Sequence, residues 1–190
     1  MEKNRSGKIA IIAVLLVVVT GISIGYAAMS TTLTINGTAK MDPASWSVKF
    51  ENLSNTTTGA ATATTGTLVD TAITDIDVTL TKPGDSVTYT FDVTNDGAID
   101  AELGTFTKTD ISCTNAGTAN GADDATITCD NTIYELTYAD GSAINPTDEL
   151  LAGETKNLKL VVSYDASAEV VPVDDVDIAG ITATFVYVQK

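Results

Sequence analysis

Residues 81–103 read TKPGDSVTYTFDVTNDGAIDAEL. In the middle, Val87, Tyr89, Phe91 and Val93 alternate with Thr88, Thr90 and Asp92. A period of two puts one side of a strand on a core and the other in water. Turn chemistry bounds the run on both sides. Lys82-Pro83-Gly84-Asp85 combines a preset φ at Pro with a glycine free to take positive φ, and Asn95-Asp96-Gly97 closes the strand.

The same alternation recurs along the chain. Trp46, Val48 and Phe50 show it, as do Ile76, Val78 and Leu80. So do Leu158, Leu160, Val162 and Tyr164, and then Ile181, Ala183, Phe185 and Tyr187. Half-buried strands of this kind need a second layer. The expected fold is therefore all-β, a two-sheet antiparallel sandwich of the Ig-like or jelly-roll type. Residues 54–75, 114–125 and 165–177 read as loops, with a short strand within Thr67–Ile73 and a helical turn near Pro146–Leu151. No amphipathic helix of useful length is evident after Met29.

The N-terminus reads differently. Lys3, Arg5 and Lys8 precede an uncharged run from Ile9 to Ala39, whose segment Ile9–Gly25 is almost wholly apolar. A basic start, an apolar stretch and then small residues describe an export segment. Its 17 residues fall between a signal-peptide core and a full membrane span. Gly25 and Ala27 place small side chains where signal peptidase needs them, so cleavage is expected between Ala27 and Ala28. A retained membrane anchor is the competing reading. Either way, residues 1–8 stay in the cytoplasm and the remainder is exported, as a secreted or cell-surface protein. The expected organisation is an export helix at 1–27 and an extracellular domain at 28–190.

Charge excludes several functions. The chain has 10 Lys and Arg, 25 Asp and Glu and no His, for a net −15. The part beyond Ala27 carries seven Lys, no Arg and 24 acidic residues, a net −17. Such a surface has no footprint for nucleic acid. Without His there is no Ser-His-Asp triad, Cys-His dyad or two-His zinc motif. The chain is therefore read as a non-enzyme without a cofactor. The acidic residues Asp70, Asp75 and Asp77, with Asp174, Asp175 and Asp177, have the oxygen chemistry calcium takes. They lack the Asp-x-Asp-x-Asp-Gly spacing of an EF-hand, so a solvated loop face is the preferred reading.

Cys113 and Cys129 are the only cysteines. In an exported domain an isolated pair points to a disulfide, closing the Asn- and Gly-rich loop between two strands. Two free thiols are the alternative.

The Gly25-Tyr26-Ala27-Ala28 junction, a strand directly after it at Ser30–Lys40, and the 81–103 block together resemble the TasA/camelysin family of secreted Gram-positive proteins. The resemblance covers roughly residues 20–105, and Leu80-Thr81-Lys82-Pro83 has one residue more between Leu and Pro than the family pattern. It implies a fibre component of a biofilm matrix, with itself or other matrix proteins as partners. The casein-cleaving activity attributed to some members does not carry over to a chain without His.

Freed at Ala28, the new terminus reads AMSTTLTINGTAK, with Leu33 and Ile35 on one face. Such a segment can add to the open sheet edge of a neighbour, main-chain bonds giving affinity and Leu33 and Ile35 filling pockets. The other reading makes Ser30–Lys40 the first strand of its own sandwich.

Overall fold

The computed structural model describes residues 11–18, 34–115 and 121–190. The chain divides into two compact units, Met1–Asp42 and Pro43–Lys190.

In the first unit, residues 11–18 form a helix, α1, whose side chains are all exposed. From 34 to 42 the chain has no regular structure. Among the described residues, no helix is long and apolar enough to cross a membrane. Ala27, Ala28 and Leu33 lie outside the described residues. The strand expected at Ser30–Lys40 is not found over its described part: 34–40 makes no ladder, and Ile35 is 98% exposed. Alternation prepares a segment for a sheet, but a strand exists only where a partner edge supplies its hydrogen bonds.

The second unit is built mostly of strands. In chain order they are β1 (Val48–Thr58), β2 (Thr62–Ala63), β3 (Thr67–Val69), β4 (Ala72–Thr74), β5 (Val78–Thr79), β6 (Ser86–Asn95), β7 (Ala101–Lys108) and β8 (Ser112–Asn115). A helix, α2 (Gly121–Asn131), precedes β9 (Thr132–Tyr138), β10 (Glu149–Leu150), β11 (Thr155–Tyr164), β12 (Val176–Ala179) and β13 (Ala183–Gln189). The larger sheet runs β1-β6-β11-β9 and the second β10-β7-β13. All their pairings are antiparallel. Three two-stranded ribbons, β12-β8, β2-β5 and β3-β4, complete the unit.

The 81–103 stretch lies at the centre of this arrangement. β6 pairs with β1 on one side and β11 on the other. Its Val87, Tyr89, Phe91 and Val93 are buried and join Leu158, Leu160 and Val162 of β11. Ala101 and Leu103 of β7, both at zero exposure, and Leu150 of β10 meet them from the second sheet. Each of the larger side chains contributes roughly 1.5–3 kcal/mol by leaving water.

The corners are fixed by two buried polar side chains. Asn95 donates its amide to the carbonyls of Ile99 and Leu150 and accepts from the Gly97 amide at 3.0 Å. Asp85 closes the Pro-Gly turn by accepting three backbone amides and a hydroxyl. Gly84 holds φ 85 there, which the turn requires.

Several expectations change. β1 begins at Val48, leaving Trp46 outside it, and runs on to Thr58 into the stretch read as a loop. The 54–75 region carries β2, β3 and β4 rather than one short strand. The Ile76–Leu80 alternation yields only the two residues of β5. A turn at Pro146-Thr147 leads into β10 without a helical segment. The 165–177 stretch stays irregular until β12 begins at Val176.

The largest change is α2, which begins in the expected 114–125 loop and runs past its end to Asn131. Its composition gives no apolar stripe, so periodicity could not reveal it. Asp123 and Asp124 in its first turn suit the positive end of the helix dipole. Asp124 is buried and accepts the amides of Val173 and Asp174, clamping a distant loop onto the helix.

Candidate assembly groove

Both sheets end on an open strand along one side of the sandwich. β1 has β6 as its only ladder partner, and β13 has only β7, among the described residues. β1 and β13 flank an apolar groove, and on the outer side of β1 the Phe50 amide is taken by the Asp70 carbonyl of the β3–β4 turn. Phe50 of β1 meets Phe185 of β13 edge-on, with ring centroids 6.0 Å apart, and also meets Phe91 of β6 at 5.7 Å. Phe106 packs behind Phe185 at 5.1 Å.

Two cavities open on this groove. One, of about 170 Å³, is lined by Trp46, Val48, Val93 and Tyr187 among others. The other, of about 330 Å³, reaches Ile76, Tyr134, Leu160, Ile181 and Ala183. Phe50, Thr71 and Phe185 line both. The walls draw on β1, β6, β9, β11 and β13, and pleating turns the apolar side chains of Phe50, Phe91, Leu160 and Phe185 toward the groove.

The lining is mostly uncharged, with Lys49 and Asp70 as the charged residues of the two cavities. Lys49, at one end, is paired with Asp96 at 2.6 Å and Glu51 at 2.8 Å. The Asp96 bond, then the Glu51 bond, hold its ammonium well above the usual lysine range. Burial pushes the Tyr187 hydroxyl up to about 12, with Asp148 and Glu154 adding to the shift. The tyrosine therefore stays neutral at physiological pH. The arrangement presents apolar pockets beside strands that lack a second ladder partner among the described residues, which is chemistry that can hold an extended peptide.

The other sequence-derived residues are dispersed. Cys113 and Cys129 form a disulfide, as expected, with Cα atoms 5.7 Å apart. It joins β8 to α2, not two strands. Asp70 sits in the β3–β4 turn, while Asp75 accepts the Thr74 hydroxyl next to it. Asp177 lies in β12. Among the described residues, no three His, Cys, Asp or Glu side chains gather as a metal site.

The groove itself was only half legible. Ile181, Ala183, Phe185 and Tyr187 announce a strand with an apolar face, but alternation does not say that the next seat in the sheet is open. No family model, curated protein or solved structure matches the chain.

Proposed function

We propose that the chain is an exported structural protein that polymerises by strand addition, the N-terminal segment of one copy entering the β1/β13 groove of the next. The observation that carries this reading is the groove: apolar walls between two strands, β1 and β13, that each have one ladder partner among the described residues. The strand order supports it. Taken in chain order, β1, β6, β11 and β9 follow the A-B-E-D order of an immunoglobulin-type sheet, and β7 beside β13 follows C-F. In such a sandwich a seventh strand lies beside F. Among the described residues, no strand lies beside β13.

The N-terminal segment has the matching chemistry. Residues 28–39 carry no acidic side chain, so they enter an acidic partner without like-charge repulsion. Ile35 and Met41 are 98% and 94% exposed, apolar side chains in want of a pocket. Leu33 and Ile35 are the proposed anchors. The contact is heterologous and does not close on itself, so repetition makes a filament. Signal-peptidase cleavage before Ala28 frees the strand. The protein works in the extracellular matrix or at the cell surface, without catalysis, in keeping with the TasA/camelysin resemblance.

A second reading is favoured by α1, whose large apolar side chains Ile11, Ile12, Val14, Leu15, Leu16, Val17 and Val18 are more than half exposed. If the export segment is retained, the sandwich is a membrane-anchored surface module. One experiment separates the readings. Secreted material is subjected to N-terminal sequencing and electron microscopy, alongside a variant lacking residues 28–38. Filaments beginning at Ala28, and a folded variant that stays monomeric, are expected. Fibres from the deletion variant would overturn strand addition, and an intact chain confined to membranes would establish the anchored module.

A further inference from the structure

We infer that the β3–β4 hairpin is a displaceable plug, seated on the edge of β1 that an incoming strand requires. This rests on the groove reading above and adds a guarded state to it. The amide of Phe50 points out of the β1-β6 ladder and donates to the carbonyl of Asp70, in the hairpin turn, at 2.7 Å. That bond spends a main-chain donor on which an added strand would pair. Thr71, next in the turn, lines both cavities, so the hairpin tip stands between them.

The hairpin is built to come away. Its strands have three residues each, in the register Thr67↔Thr74 to Val69↔Ala72. Its two-residue turn has positive φ at neither Asp70 nor Thr71. Tight hairpins favour primed turns, which need positive φ, because these match the twist of the strands. Leu68 and Val69 are 39% and 57% exposed, leaving Ile73 as the main apolar attachment to the core. A two-stranded ribbon with so little burial is marginal by itself. Both ends carry left-handed residues, Gly66 at φ 82 and Asp75 at φ 57. A Cβ on Gly66 would lie 2.7 Å from the Thr74 carbonyl oxygen, so this end of the hairpin depends on glycine.

The plug gives an exported monomer a covered edge. A strand that enters the groove must first displace the hairpin, which lowers its apparent affinity by the fraction of molecules with the hairpin out. Premature pairing is suppressed, and a correctly matched strand still wins.

The test uses the full chain and a labelled synthetic peptide with the sequence of residues 28–40. Hydrogen exchange is measured first on the unaltered protein. Peptide in excess is expected to slow exchange in β1 and β13 and to speed it in 67–74. Slower or unchanged exchange in 67–74, with β1 and β13 protected, overturns the plug while leaving the groove reading intact. In a variant whose residues 67–74 are replaced by a Gly-Ser linker, peptide affinity is expected to rise about tenfold or more. Equal affinity for a folded variant and the parent overturns the plug. Peptide that binds neither chain and protects neither edge overturns the groove reading, and the plug falls with it.

Discussion

The amide of Ala60 donates to Oδ1 of Asp85 over 2.8 Å, joining positions 25 residues apart. The second oxygen accepts the amides of Thr81 and Lys82 and the Thr81 hydroxyl. The side chain has no exposure. These bonds, the Ala60 amide foremost, hold the ionised form and lower the carboxyl from 3.8 to about 2. A group lowered on folding contributes stability above its unfolded value and loses it as pH falls through the folded one. The urea midpoint should therefore fall between pH 4 and pH 2, and fall less in Asp85→Asn. At pH 7 that variant should lose roughly 10 °C in Tm, because an amide cannot accept from all four donors.

Gly59 lies against the same carboxylate. Its φ is 76, and a Cβ there would sit 2.2 Å from Oδ1 of Asp85. Gly59→Ala should push the carboxylate off the Ala60 amide. Combined with Asp85→Asn, it should cost less than the sum of the two single changes, since both remove the same bonds. Thermal melts of the four proteins of the cycle measure this.

The disulfide should matter locally. Cys113 and Cys129 are 16 positions apart, and a loop of that size is worth about 3 kcal/mol in the chain-entropy account. In the double Ser variant, α2 and β8 should exchange amide hydrogens far faster. The central strands β6 and β11 should keep their protection, because their burial does not involve the bridge. Uniform loss of protection would show that the ribbon and helix fold together with the sandwich.

Asn95→Ala should cost roughly 3 kcal/mol. It strands the carbonyl of Leu150 and the amide of Gly97 in a buried corner, at about 1–3 kcal/mol for each group left unmatched, and releases the partly buried carbonyl of Ile99. Asn95→Asp should be worse at pH 7, since it aims a carboxylate at two carbonyl oxygens. Denaturant titration of both variants checks the order.

Leu158→Ala and Ile35→Ala should separate folding from assembly. Leu158 is 1% exposed in the core, and its truncation should cost about 2–5 kcal/mol. Ile35 is fully exposed, and its truncation should change monomer stability by under about 0.5 kcal/mol. On the strand-addition reading it should nonetheless lower fibre yield severalfold, scored by sedimentation. Undiminished fibre yield would remove Ile35 from the proposed contact.

The sequence announced strands where one face is buried and the other wet. β6, β11 and β13 were legible for that reason. Tyr134, Leu136 and Tyr138 of β9 carry the same signal. β7 does not, because Gly104 interrupts its alternation and its pairing with β13 shifts register at Val186/Tyr187. The ribbons β2-β5 and β3-β4 are too short for a period to form. α2 is held by a disulfide and by a carboxylate clamp to residues nearly fifty positions away, and neither leaves a local pattern. The groove is a property of which strands neighbour which, and no window of sequence contains that.

The pairing of β7 with β13 also sets a timetable. Its register, Ala101↔Gln189 to Lys108↔Ala183, spans β8, α2 and every strand from β9 to β12. Non-local pairings of this kind fold slowly, on millisecond-to-second scales, because loop-closure entropy is spent before the contact forms. During that interval the apolar face of Ala101 and Leu103 waits for its cover, and half-folded chains are most prone to clump. The net −17 beyond Ala27 then acts kinetically: mutual repulsion keeps neighbouring chains apart until the second sheet has closed.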